Sequence, residues 1–206
     1  MQKFEQLEYG KYYHIYNRGI NSCDIFNDAE NFSFFLKLYD NYLSCIADTF
    51  AWVLMQNHFH FLIKIKEENE FINNVIISPD RVQNPVRAVG NPSLQFSKLF
   101  NSYVQAFNKR NNRHGSLFER PFKRKMIDNE NYLKQVLLYI HNNPVHHGFC
   151  EHPMDYPWSS YLSCISLKQT KLQRDIVIGW FDDLGNFKQN HNSKIDIINI
   201  EKILEL

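Results

Sequence analysis

Short alternating and continuous apolar runs, separated by stretches at helical spacing, divide this chain into elements. Residues 12–18 (Tyr-Tyr-His-Ile-Tyr-Asn-Arg), closed by Gly19, are rich in β-formers and predict a first strand. Asp28 is placed to cap a helix to about Cys45, with Phe32, Phe35, Leu36, Tyr39 and Leu43 at helical spacing. Two apolar runs follow, 49–55 and 58–65, and the Gln56-Asn57 pair between them is a hairpin signature. Residues 67–92 contain Pro79, Pro85, Gly90 and Pro92 and read as a short helix followed by a mobile loop or insertion. Ser93 caps a helix to about Asn111, residues 115–122 form an irregular link, and 123–127 a short strand. Asp128 or Asn129 opens a further helix from Glu130 to His141 or Asn142, where Pro144 is expected to stop it. Pro153, Pro157 and Ser159-Ser160 mark a loop or short helix. Residues 166–206 are expected to form a C-terminal helical extension, amphipathic over 195–206.

The order β-α-β-β-α-β-α around a central hairpin predicts an α+β protein. Its core is a ferredoxin-like (RRM-like) split β-α-β antiparallel sheet with helices mainly on one face. With 206 residues, 44% of them hydrophobic and 15% aromatic, the chain has enough apolar material for one full core. The four cysteines show no C-x-x-C spacing. The first residues are polar and charged, without the apolar stretch of a secretory signal, and no segment is long enough to span a membrane. The expectation is a reduced, cytoplasmic protein without membrane association.

The net charge of +1 conceals a local excess. Lys98, Lys109, Arg110, Arg113, Arg120, Lys123, Arg124 and Lys125 stand against Glu119 alone. Such a run is usually a solvated helix face, but interleaving with Phe96, Phe100, Tyr103, Phe107, Phe118 and Phe122 shifts the reading toward nucleic acid.

Candidate chemistry begins at His58 and His60. On a strand, residues two apart share a face, so both imidazoles point one way as paired ligands for a divalent metal, with Phe59 opposite. A His-x-His pair alone is weak, because strand histidines are commonly hydrogen-bonded structural residues. Tyr139 and Asn143, four apart on the later helix, also share a face; the plain alternative is a core aromatic and a helix-end amide.

Taken together, these motifs resemble the HUH-type single-tyrosine transposases, and most closely their REP-associated branch. The resemblance rests on His58-Phe59-His60 in a strand and Tyr139-Ile140-His141-Asn142-Asn143-Pro144-Val145 closing a later helix. It extends over Tyr13-His14-Ile15-Tyr16-Asn17-Arg18-Gly19, Gly115-Ser116-Leu117-Phe118-Glu119-Arg120, and Tyr156-Pro157-Trp158-Ser159-Ser160-Tyr161. It thus spans about residues 9–165, and residues 1–165 are expected to be the HUH domain. It departs at 67–92, in the tail, and at His146-His147, where the family more often has one basic and one small residue.

The resemblance implies an HUH endonuclease fold and cleavage of single-stranded or hairpin DNA with Mg²⁺ or Mn²⁺. His58, His60 and Asn143 would be the metal ligands and Tyr139 the nucleophile, giving a 5′-phosphotyrosine linkage in DNA transposition, by a monomer or a homodimer. Arg18 and the basic residues Lys109, Arg110, Arg113, Arg120, Lys123, Arg124 and Lys125 are candidates for DNA contact. His14 could approach the site from a neighbouring strand but reads first as a structural strand histidine, and His141 reads as a solvent-facing helix residue, while Trp158 and Tyr161 are candidates for base stacking or core. The alternatives are a domesticated DNA-binding protein without turnover and an unrelated metal hydrolase. The latter lacks a carboxylate pair near His58 and His60.

Overall fold

The computed structural model describes residues 5–70, 91–193, 200 and 202. Four strands, β1 (Tyr12–Arg18), β2 (Ala47–Met55), β3 (His58–Ile65) and β4 (Lys123–Ile127), form one antiparallel sheet in the order β2-β3-β1-β4. Helix α1 (Ala29–Leu43) joins β1 to β2, and α2 (Ser93–Arg110) lies between β3 and β4. After β4 come α3 (Glu130–His146), the short α4 (Tyr161–Ile165) and α5 (Arg174–Gly179), and α6 (Leu184–Asn192). This is the expected α+β split β-α-β arrangement. The expected segment 67–92 lies largely outside the described residues, as does 195–206 apart from Ile200 and Lys202.

Strand alternation assigns the two faces. Tyr13, Ile15, Phe59, Phe61, Ile63 and Ile65 face α1 and α2, where Phe26, Phe35, Phe96 and Tyr103 complete an aromatic core. Asp28 caps α1 by accepting the Asn31 N–H, and the Tyr103 hydroxyl donates to the Ile25 carbonyl at 2.5 Å. The N-cap of α2 is Pro92 rather than Ser93, whose own N–H is taken by the Asn91 side chain.

The other face is also covered, which corrects the expectation of helices mainly on one side. Ala51, Val53, Met55, Leu62 and Ile127 pack against Val136, Leu137 and Ile140 of α3 and against Val177, Phe181 and Phe187. The reason lies in β3, whose buried residues include both faces of the strand, so neither can be left to water.

Helix α3 also runs through Pro144 to His146 instead of stopping before it. In the last turn a proline removes only one backbone donor. The end is closed by His147 N–H to Asn143 O, Phe149 N–H to Pro144 O, and Gly148 in the left-handed conformation.

Phe35 is fully buried and meets Phe26, Phe59, Phe61 and Tyr103. Phe35→Ala should therefore cost about 3–5 kcal/mol, read as a lower urea midpoint with an unchanged slope. A midpoint equal to that of the unchanged protein would contradict this account of the core.

Candidate metal and nucleophile site

The second face of the sheet is not uniformly apolar. At the β2–β3 turn end, alternation places His58 and His60 of β3, His14 and Tyr16 of β1, and Lys123 of β4 on the side that α3 covers. Helix α3 lays Tyr139 and Asn143 over them, both buried. Tyr139 meets His60 edge to face, with ring centroids 5.4 Å apart, and Asn143 Oδ1 stands 2.9 Å from His58 Nε2. The four residues singled out in the sequence thus converge. His58, His60 and Tyr139 border a cavity of about 220 Å³ lined also by Tyr16, Asn17, Arg18, Glu119, Lys123 and His147.

Each support has a local cause. Asn17 is buried, takes the Arg18 N–H on Oδ1 and donates from Nδ2 to the Glu119 carbonyl, tying the 115–122 link to the end of β1. Gly19 is needed for close approach, since an added Cβ would lie 2.0 Å from the Cys23 carbonyl oxygen. The hairpin turn is held from outside, with Gln56 and Asn57 carbonyls accepting from Ile25, Phe26 and Gly19.

Helix α3 is anchored by a polar chain whose direction is fixed throughout. Trp52 N–H donates to Ser160 Oγ, leaving the serine proton for His141 Nε2. His191 Nδ1 must donate to the Phe187 carbonyl, so His191 Nε2 accepts from His141 Nδ1–H at 2.9 Å. His141 is therefore fully buried, not solvent-facing as the sequence suggested: it joins α3 to β2 and α6.

Burial and the surrounding groups set the protonation of the site. Desolvation lowers His58 to about 4, against the Asn143 bond, with His147 and Arg18 lowering it further. His60 is held well below the usual imidazole range by burial and then by His14, His58 and His147. Burial takes His14 to about 3. Neutral rings are what a cation requires of its ligands.

The donor set fits a divalent ion. His58 Nδ1 lies 2.6 Å from Asn57 Oδ1 and its Nε2 2.9 Å from Asn143 Oδ1. A neutral imidazole carries one proton, so with both amides in these orientations it serves only one of the two oxygens; turning the Asn57 amide over pairs both nitrogens. Asn143 Nδ2 is buried without a partner among the described residues. A cation between Nε2 and Oδ1 would use the same two atoms as ligands, and adjacent ligands on a small divalent ion are roughly 3 Å apart. Among the described residues no three His, Cys, Asp or Glu side chains converge as a metal site, so a third protein ligand beside His58 and His60 would have to be the Asn143 amide.

The basic run is dispersed. Arg18 and Lys123 line the cavity, and Lys125 shares their face opposite His14. Arg124 points to the other face, bonds Ser93 Oγ, and with Arg120 borders a separate cavity of about 490 Å³ beside Phe100 and Phe122. Arg110 is paired with Asp28 and Glu30, Arg113 bonds Asn108 and the Ser116 carbonyl, and Lys109 is exposed at the end of α2. The interleaved aromatics Phe96, Phe100, Tyr103, Phe107, Phe118 and Phe122 are all buried, as is Tyr161, so none is a stacking platform. Trp158 packs on Phe32.

Sequence reasoning did not place Glu119, His147 or Tyr16 in the cavity, nor His14 against His60. Strand alternation carried the signal for His14 and Tyr16, but the register of β1 on β3 was not fixed by any turn.

A split β-α-β sheet with a His-x-His strand facing a Tyr-x-x-x-Asn helix has the architecture of the HUH-type nucleases. No family model matches the chain. It is 26% identical over 116 residues to a protein of Haemophilus influenzae provisionally named a REP-associated tyrosine transposase, covering 55% of this chain and 58% of that one. The chain thus spans little more than half the length of this curated relative. A solved REP-associated tyrosine transposase bound to a REP hairpin shares the fold at a TM-score of 0.58 and 15% identity, over 80% of this chain and 86% of the other. In sequence and in fold, the chain is similar to REP-associated tyrosine transposases, as its motifs suggested. Among the described residues, no helix is long and apolar enough to cross a membrane.

The anchoring chain predicts acid sensitivity. Burial holds His191 down to about 4, against an ordinary 6.5. Unfolded chains take up this proton below about pH 6.5 and the folded chain does not until about pH 4, so stability is full above that window and falls within it. In His191→Phe, urea midpoints measured at about pH 7, 5.5 and 4.5 should fall less steeply. An identical slope would contradict the assignment.

Proposed function

We propose that this protein is a divalent-metal-dependent single-stranded DNA endonuclease and strand transferase of the HUH tyrosine type, acting at hairpin-containing repeats in DNA transposition. The observation that carries this reading is that Tyr139 and Asn143, one turn apart on α3, meet His60 and His58, beside the cavity that Tyr139 and both histidines line.

His58, His60 and Asn143 would hold the ion, Mg²⁺ or Mn²⁺. When bound it supplies polarisation of the scissile phosphate and stabilises the charge that builds there. Mg²⁺ is commonly held together with substrate phosphates, which suits a site of neutral ligands; the amide oxygen of Asn143 also suits Mn²⁺.

Tyr139 provides the nucleophilic oxygen. Its bond to phosphorus forms as the bond to the 3′-oxygen breaks; the tyrosyl proton leaves and the departing oxygen becomes a 3′-OH. The 5′-phosphotyrosine linkage conserves the phosphodiester energy, so a 3′-OH can later attack it and rejoin strands. Arg18 and Lys123 bring positive charge to the cavity for flanking phosphates, and Lys123 also lies over the Tyr16 ring at 6.0 Å. Glu119 is the carboxylate among the lining residues.

With hairpin DNA from the neighbourhood of its gene and Mn²⁺, the purified protein should form a denaturation-resistant protein–DNA adduct. Tyr139→Phe and the metal-free control should form none. Tight binding without an adduct would instead indicate a DNA-binding protein that has lost turnover. Metal-dependent hydrolysis surviving Tyr139→Phe would indicate an unrelated hydrolase.

The two faces of β4 predict different DNA roles for its neighbours. Lys123→Ala should weaken binding and reduce the salt slope by about one, measured by fluorescence anisotropy at several salt concentrations. Arg124→Ala should leave that slope nearer its original value. Equal effects would remove the case for a cation track along the cavity face.

A further inference from the structure

The two site histidines are held alike. His58 has its Nδ1 2.6 Å from Asn57 Oδ1, and His60 has its Nδ1 2.9 Å from Nε2 of His14 on the neighbouring strand. The His14 and His60 rings are within 8° of parallel with centroids 5.0 Å apart. With nitrogens at 2.9 Å, that separation puts the rings edge to edge in nearly one plane, the geometry of a linear N–H···N bond rather than face-to-face stacking. Tyr16 lies near parallel to both rings, 4.8 Å from His14 and 5.8 Å from His60. His14 is completely buried, and its Nδ1 has no partner among the described residues.

Two proton arrangements satisfy this contact. If His14 donated from Nε2, neutral His60 would carry its own proton on Nε2, with no lone pair there for a cation. If His60 donates from Nδ1, its Nε2 is left bare, as His58 Nε2 is when that ring donates from Nδ1 to Asn57. Only the second arrangement leaves the His60 Nε2 lone pair for an ion.

We propose that His14 is a positioning residue: its Nε2 accepts the Nδ1 proton of His60, fixing that ring's tautomer and plane so that Nε2 is presented to the divalent ion. This rests on the metal site proposed above. It gives the burial of His14 a purpose, since partners behind metal-bound histidines set both ring orientation and ligand basicity. The cost is an unpartnered N–H on His14 Nδ1, which the site tolerates in order to keep Nε2 as acceptor.

The test uses nitrogen-15 NMR of the metal-free full-length protein to read the His60 tautomer, and calorimetry with Mn²⁺ to read affinity. In the unchanged protein His60 should carry its proton on Nδ1. His14→Leu, which removes the acceptor, should weaken Mn²⁺ binding by about 10–100-fold and release the tautomer. His14→Gln places an amide oxygen near the same spot and should recover most of both. A His60 proton on Nε2 in the unchanged protein would overturn the proposal without any variant, as would Mn²⁺ affinity unaltered in His14→Leu. Absence of Mn²⁺ binding by the unchanged protein would overturn the metal reading itself, and the tautomer would then decide for or against His14.

Discussion

The contact between His58 on the sheet and Asn143 on α3 is the constraint on which the site depends. His58 Nε2 and Asn143 Oδ1 stand 2.9 Å apart, and the Asn143 amide nitrogen is buried without a partner among the described residues. Buried amide groups are ordinarily hydrogen-bonded. The imidazole nitrogen and the amide oxygen are the atoms that would serve as neighbouring ligands of a divalent ion lying between them. Tyr139, one turn earlier on the helix, is then carried to the edge of the same centre by helical geometry alone.

Such a site requires α3 to sit in one register on the sheet, and several independent features enforce it. Val136, Leu137 and Ile140 are fully buried against the second face. The chain from Trp52 through Ser160 and His141 to His191 fixes the helix laterally, and each of its protons has only one consistent place. Continuation of the helix through Pro144 keeps Asn143 inside regular helix, where its side chain projects to the same face as Tyr139. Residues after 165, expected as an extension, contribute Val177, Phe181 and Phe187 to the core behind α3, and His191 bonds its His141, so they support Tyr139 from the rear.

Much of this was legible in the sequence, for identifiable reasons. The strands and α1 and α3 announce themselves through β-rich runs, Asp28, and Asn129 before a helical apolar period, and the sheet order follows from the element order. Spacing two on a strand and four on a helix showed that His58 shares a face with His60 and Tyr139 with Asn143; joining the two pairs into one site rested on the family resemblance. Contacts set by tertiary register were not visible. His14 meets His60 only because β1 pairs with β3 as it does, and His141 is buried because a distant helix supplies His191. The basic-aromatic pattern over 96–125 misled in one respect: its phenylalanines serve the α1–α2 core, and only some of its cations reach the cavity face.

The most direct test of the central claim is pulsed electron paramagnetic resonance of the protein loaded with Mn²⁺. The account predicts hyperfine coupling to two imidazole nitrogens, with one coupling lost in His58→Ala and the other in His60→Ala. Bound Mn²⁺ showing no imidazole coupling, or the same couplings in both variants, would contradict it.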